Sequence, residues 1–333
     1  MADIRGTLRD QAHAGRPLFR PHPSAAGRER TVRRARVHRR QACHVRKGDR
    51  MTIASPNPPA RLAIINLMPQ AEVYFGYMEQ VLPPGTEIDW IRVRNHPYRS
   101  SDPEILARTH RFYDETDIDA CDALLLTGAA MDINPVFEEA SYWEEIVETL
   151  RDASARVGSI AGVCWGAQVV GRVFYDIEKQ HFPEKVSGVY EMTNLRPDHP
   201  LMRGLDDRYF LPQSRYAQLE PKAFARAVEA GRLVPLDWCA ASGHTTVVSA
   251  DGRHVMLQGH QDYPTERLAE EYRSALSKGK DATSPVGYDV ENPVNRWRAN
   301  SRAFISSWLL SATRIKRGMR KAAQTRLDTG ASA

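Results

Sequence analysis

Three residues whose types combine in acyl chemistry stand at the ends of apolar runs. Cys164 lies in Gly158-Ser-Ile-Ala-Gly-Val-Cys-Trp-Gly-Ala-Gln-Val-Val-Gly171, where an apolar stretch leads into the cysteine and a small-residue, helix-forming stretch leads out. That is the pattern of a nucleophile elbow, a sharp strand-to-helix turn that lifts a reactive side chain above a parallel sheet. Far downstream, Val255-Met-Leu-Gln-Gly-His-Gln-Asp-Tyr263 puts His260 and Asp262 at the end of a second apolar run. A thiol becomes an effective nucleophile when a base takes its proton, and a carboxylate that orients the base helps it do so. A helix starting just after Cys164 favours the thiolate through its dipole and its unpaired N–H groups. The N–H of Trp165, with a second donor from the Gly128-Ala129 turn, would serve an oxyanion.

Each of these residues also has a plain structural reading. Most lone cysteines are inert, buried small hydrophobes, and an isolated histidine is more often a satisfied core residue than a base. Asp262 is as well suited to capping a helix over residues 264–277 as to orienting a base. The elbow context separates Cys164 from Cys43, Cys121 and Cys239, whose spacings match neither a CxxC pair nor a zinc pattern. No metal site is expected.

The elements that must position these side chains alternate. Residues 61–67 and 87–93 read as strands, 71–81 as a helix, and 120–128 as a strand ending in a glycine turn. Residues 140–155 have apolar residues at helical spacing, followed by the Cys164 strand and its helix. The expected fold class is therefore α/β: a parallel sheet flanked by helices on both faces, with ligands at the carboxyl ends of the strands. Asn66, Thr127-Gly128, Cys164 and His260 all fall at such ends. Residues 181–240 are less regular and read as an insertion near the crevice. Residues 264–277 and 297–313 read as helices.

The chain has 333 residues, 42% hydrophobic and 26% charged, enough for one large α/β domain or two modest ones. The net charge of +5 is unevenly spread, because residues 1–50 hold 14 Lys and Arg against 4 Asp and Glu. The rest of the chain is mildly acidic. The basic run Arg33-Arg-Ala-Arg-Val-His-Arg-Arg40 lacks interleaved aromatics, so residues 1–60 read as a disordered extension rather than a nucleic-acid module. Met51 precedes a short lead into the first strand and is the expected translation start. Residues 61–313 form the expected domain and 314–333 a flexible basic tail. No apolar run approaches the ~20 residues that span a bilayer, and no apolar signal opens the chain, so a cytoplasmic protein is expected.

Several further motifs occur in order with these: Asn66-Leu-Met-Pro69, Leu126-Thr-Gly-Ala129, Tyr142-Trp143, Val163-Cys-Trp165, Lys185-Val-Ser-Gly-Val-Tyr190, Ser214-Arg-Tyr216, Gly259-His260 and Trp297-Arg298. From about residue 60 to about 311 the chain resembles the homoserine O-succinyltransferase/O-acetyltransferase family, acyltransferases with a class I glutamine amidotransferase-like, flavodoxin-like fold. The resemblance implies that Cys164 carries an acyl group taken from acetyl-CoA or succinyl-CoA and that His260 activates L-homoserine. It also implies that Lys185, Ser214 and Arg298 bind substrate, that no cofactor is permanently bound, and that the protein is a homodimer.

The chain departs from the family pattern at two places. Asp262 stands where the family normally has Glu, one methylene longer, and Gln70 follows Asn-Leu-Met-Pro where lysine is usual. Asp132 falls at the position associated with acyl choice, Gly with succinyl and Glu with acetyl. A carboxylate there would repel the free carboxylate of succinyl-CoA, which leans towards acetyl. A paralogue acylating another amino-acid substrate, a glutaminase-type amidotransferase and a catalytically silent binding protein remain alternatives.

Overall fold

The computed structural model describes residues 60–129, 131, 134, 136–280 and 282–330. The basic arm, Met51 and Asp132 lie outside the described residues. A seven-stranded sheet has the order β2-β1-β3-β4-β10-β9-β7, built from β1 (Arg61–Ile65), β2 (Glu87–Ile91), β3 (Ala123–Leu126), β4 (Ser159–Val163), β7 (Leu233–Pro235), β9 (Thr246–Ser249) and β10 (His254–Leu257). The first five in that order are parallel, and β9 and β7 extend the sheet antiparallel.

Strand alternation explains the two cores. Successive side chains of a strand point to opposite faces, so Ala63, Ile65, Leu124, Leu126, Ile160 and Met256 join one apolar cluster. Leu62, Ile64, Leu125, Ala161, Val163, Val255 and Leu257 join the other. The first face is covered by α3 (Trp143–Arg156) and α4 (Trp165–Tyr175), the second by α1 (Val73–Val81) and α7 (Arg298–Gly330). The short α2 (Pro103–Thr109) is capped by Asp102 and packs Leu106 beside Ala71 and Tyr98.

The stretch expected to be irregular is an ordered second sheet. Strands β5 (Lys179–Asn194) and β6 (Arg208–Leu219) form a long antiparallel hairpin, and β8 (Asp237–Trp238) adds to its edge. The hairpin register breaks between His181 and Val186, and this irregularity hides the alternation in the sequence. After the hairpin come α5 (Pro221–Glu229) and, beyond the main sheet, α6 (Arg267–Ser277).

Helix α7 also differs from expectation. Its apolar side chains Phe304, Ile305, Trp308, Leu309 and Ala312 are buried, but the helix continues to Gly330. Past Lys316 the described side chains are mostly exposed, so no apolar stripe marks the extension. Its Arg, Lys, Ala and Gln residues carry the helix by propensity.

The buried part of α7 seats directly on the start of β4. Trp308 Nε1 donates to Ser159 Oγ at 3.0 Å, and a Cβ at Gly158 would lie 2.0 Å from the Ala312 carbonyl oxygen and 2.9 Å from Lys316 N. Gly158→Ala is therefore expected to lower stability by about 2 kcal/mol and Tm by roughly 5 °C. Gly76→Ala, on the exposed side of α1 with nothing within 4 Å, is the control and should not lower Tm. Equal melting of both variants would contradict this seating.

Candidate active site

Cys164 sits between β4 and α4 with φ +53° and ψ −113°, one of three non-glycine residues with positive φ among those described. Its amide donates to the Leu257 carbonyl of β10 at 2.7 Å, and its carbonyl accepts from Ala167 N at 3.0 Å. The turn closes because glycines flank it. A Cβ on Gly162 would lie 2.1 Å from the Gly166 oxygen, and one on Gly166 would lie 2.5 Å from the Leu126 oxygen. The thiol donates to the Ser214 carbonyl of β6 at 3.8 Å. Trp165 opens α4 with its ring buried in the core against Phe137 and Tyr142. Its N–H belongs to the first helical turn, where amides have no acceptor within the helix.

Past the end of β10, His260 is held by three neighbours. Its amide donates to the Pro212 carbonyl of β6 at 2.9 Å. Its ring stacks on Tyr263, centroids 3.8 Å apart, and Nδ1 lies 3.0 Å from Asp262 Oδ1. With the carboxylate on Nδ1, the tautomer protonated there leaves Nε2 as the basic nitrogen. Nε2 is buried and has no hydrogen-bond partner among the described residues. The other oxygen of Asp262 accepts from Tyr74 Oη at 2.7 Å. Burial opposes charge on Asp262, but His260 and Tyr74 outweigh it and hold the carboxyl below its usual range. Asp262 does not cap a helix, because α6 starts later, with Glu266 at its N-cap position.

Cys164, His260, Asp262, Gly128, Lys185 and Ser214 line a single cavity of about 340 Å³. Gly128 closes it on one side: a Cβ there would lie 3.3 Å from Cys164 Cβ and 3.8 Å from His260 Cε1. The glycine is fixed through its neighbour, since Thr127 Oγ1 accepts from Leu67 N at 2.8 Å and so ties the β3 loop to the β1 loop.

The opposite wall is organised by Glu271 of α6, which sequence reasoning missed. Its Oε2 accepts from Ser214 Oγ and lies 3.6 Å from Lys185 Nζ. Its Oε1 accepts from Tyr263 Oη at 2.7 Å and lies 3.1 Å from Arg267 Nε. Burial would raise its pKa, but Arg267, Lys185 and the two hydroxyls lower it, so Glu271 is charged. Ser214 and Lys185 face it from the β5–β6 hairpin. Arg215, fully buried, secures that strand by donating to the carbonyls of Ala217 and Ser242.

Arg298 is not brought to the cavity. Its guanidinium donates to Thr265 Oγ1 at 3.1 Å and is exposed, whereas the arginine in the cavity wall is Arg267. Asn66 is also held apart, buried and spent on its own loop: its side chain donates to Ala71 O and accepts from Met68 N. Gln70 is exposed beside the lining residues Met68 and Pro69. The missed residues Tyr74, Arg267 and Glu271 lie on helices at sequence positions without a catalytic signature. The one available signal was the helical spacing of Arg267 and Glu271, four residues apart.

Among the described residues no group of three or more His, Cys, Asp or Glu side chains is placed to hold a metal, and no helix is long and apolar enough to cross a membrane. The chain is 32% identical to a homoserine O-acetyltransferase of Petrotoga mobilis, over 75% of this chain and 82% of the relative. It is 31% identical to a homoserine O-succinyltransferase of Photobacterium profundum, over 75% of this chain and 81% of the relative. Among solved structures, a glutamine amidotransferase from Thermotoga maritima aligns with 78% of this chain and 99% of its own, at 14% identity and a TM-score of 0.48, too distant to bear on activity. The profile of the homoserine O-succinyltransferase family matches residues 44–314, and with the relatives above it shows that the chain belongs to that family.

Proposed function

We propose that the protein is an acyl-CoA-dependent L-homoserine O-acyltransferase that carries the acyl group on Cys164, supplying an activated homoserine for methionine biosynthesis. The observation that carries this reading is the convergence of an elbow cysteine and a carboxylate-held histidine on one cavity, in a member of this family. His260 takes the thiol proton, and the Cys164 sulfur attacks the thioester carbonyl of the donor. The new S–C bond forms as the bond to the CoA sulfur breaks, and CoA leaves with the proton from His260. His260 then takes the hydroxyl proton of homoserine. The hydroxyl oxygen attacks the acyl-cysteine, and Cys164 regains its proton as the ester departs. The N–H groups at Trp165 and Gly128 meet the oxyanion of each step.

The charged wall suits an amino-acid acceptor. Arg267, paired with Glu271 and 3.6 Å from Glu270, shares the cavity lining with Lys185 and Ser214, so that wall offers both signs of charge to an amino-acid zwitterion, and Arg298 stands outside it. Lys278 and Lys280 belong to that lining too, and their charge suits the phosphates of a CoA donor. The expected donor is acetyl-CoA, from the carboxylate of Asp132.

The direct test supplies acetyl-CoA or succinyl-CoA with L-homoserine, and L-glutamine in place of homoserine as a control, and measures free CoA and the acylated product by mass spectrometry. O-acetylhomoserine with acetyl-CoA is expected. A folded sample that makes neither ester with either donor would overturn the reading, and ammonia from glutamine alone would replace it with a glutaminase. Cys164→Ala should abolish turnover, His260→Ala should lower kcat by about 10²–10⁴-fold, and Asp262→Asn should cost less. Gly128→Ala puts a methyl 3.3 Å from Cys164 Cβ, and kcat should fall by about 10-fold with little change in Tm.

A further inference from the structure

Asp262 has two carboxylate oxygens and two partners. Oδ1 holds His260 Nδ1 at 3.0 Å, and Oδ2 accepts from Tyr74 Oη at 2.7 Å, a contact that joins residues 188 apart in the chain. Both side chains are buried. Tyr74 reaches the site from α1, on the sheet face opposite α4. Its ring is wedged edge-on against Trp90 (centroids 6.3 Å apart, planes at 82°) and beside Tyr77 at 5.6 Å. The loop that delivers it is tied by Asn66 to Ala71 O and by Ser101 Oγ to Ala71 N. The hydroxyl therefore arrives from a fixed direction.

We propose that Tyr74 is the positioning residue of the acid: its hydroxyl fixes the second oxygen of Asp262 and thereby sets the orientation and reach of the carboxylate that holds His260. A carboxylate with only one anchored oxygen can turn about its side-chain bonds, and the imidazole it holds turns with it. With both oxygens anchored the carboxylate plane is defined, and so is the ring plane of His260, which Tyr263 clamps from its face. Burial and Asp262 push the Tyr74 phenol well above its ordinary range, so it remains a donor. The hydroxyl also limits length. It ends against the carboxylate, leaving no place for the extra methylene of a glutamate between Tyr74 and His260. Tyr74 and Asp262 thus form a matched pair, a long residue on α1 with a short acid after β10.

The test rests on the acyltransferase reading. It is scored only against a wild-type enzyme that turns over, which keeps its failure distinct from failure of that reading. Tyr74→Phe keeps the ring and removes one oxygen. It is expected to lower kcat about 10-fold, with both KM values within about twofold of wild type, because the lost contact acts on the base and not on substrate. In an Asp262→Asn background the same substitution should cost about twofold or less, since Tyr74 acts through the carboxylate. An unchanged kcat in Tyr74→Phe would overturn the proposal, as would an equal loss in both backgrounds. Asp262→Glu tests the length argument independently of how Tyr74→Phe folds. It keeps the charge yet should lose at least about 10-fold in kcat, and Tyr74→Phe should recover part of that loss. Full activity of Asp262→Glu with Tyr74 in place would overturn the matched pair.

Discussion

The backbone at Cys164 is held where an L-residue pays a conformational penalty of about 1–3 kcal/mol, and much of the architecture serves to keep it there. The turn is compressed between β4 and α4 at a crossing that admits no side chain on Gly162 or Gly166. Leu257 of β10 accepts from the Cys164 amide, so the strand that leads to His260 also braces the cysteine. The parallel pairing of β10 with β4 is thus a constraint on the site as well as on the sheet. It places the two chemical groups at neighbouring strand ends, nearly 100 residues apart in the chain.

The cavity depends on compensated charge. Asp262 is a buried carboxylate and Glu271 a partly buried one, and each persists because specific donors surround it: His260 and Tyr74 for the first, Arg267, Lys185, Ser214 and Tyr263 for the second. A buried charge stripped of its partner is strongly destabilising. The two networks meet at Tyr263, which stacks on His260 and donates to Glu271, so the substrate wall and the base share a rigid element.

What the sequence made legible follows from short-range physics. The apolar runs of β1, β3, β4 and β10 and the small residues after Cys164 show the sheet and its elbow, because periodicity and steric room are local properties. His260 and Asp262 are visible because they follow a strand by a few residues. The Glu271 network and the Tyr74 contact are invisible, because they depend on how α6, α1 and the β5–β6 hairpin converge, and no local pattern encodes that. The family resemblance points to Arg298, but its backbone amide is fixed by Asn295 and its guanidinium by Thr265, and this turns it away from the cavity. The extension of α7 past residue 313 is illegible for a simpler reason: nothing apolar marks it.

The central claim is that Cys164 is the acyl carrier. Mixing the protein with acetyl-CoA or succinyl-CoA in the absence of acceptor, quenching in acid and measuring intact mass tests it most directly. A gain of one acyl group is expected, located on the Cys164 peptide after digestion and discharged when L-homoserine is added before the quench. A protein that forms the ester product while Cys164 never carries acyl, including under rapid quench, would contradict it.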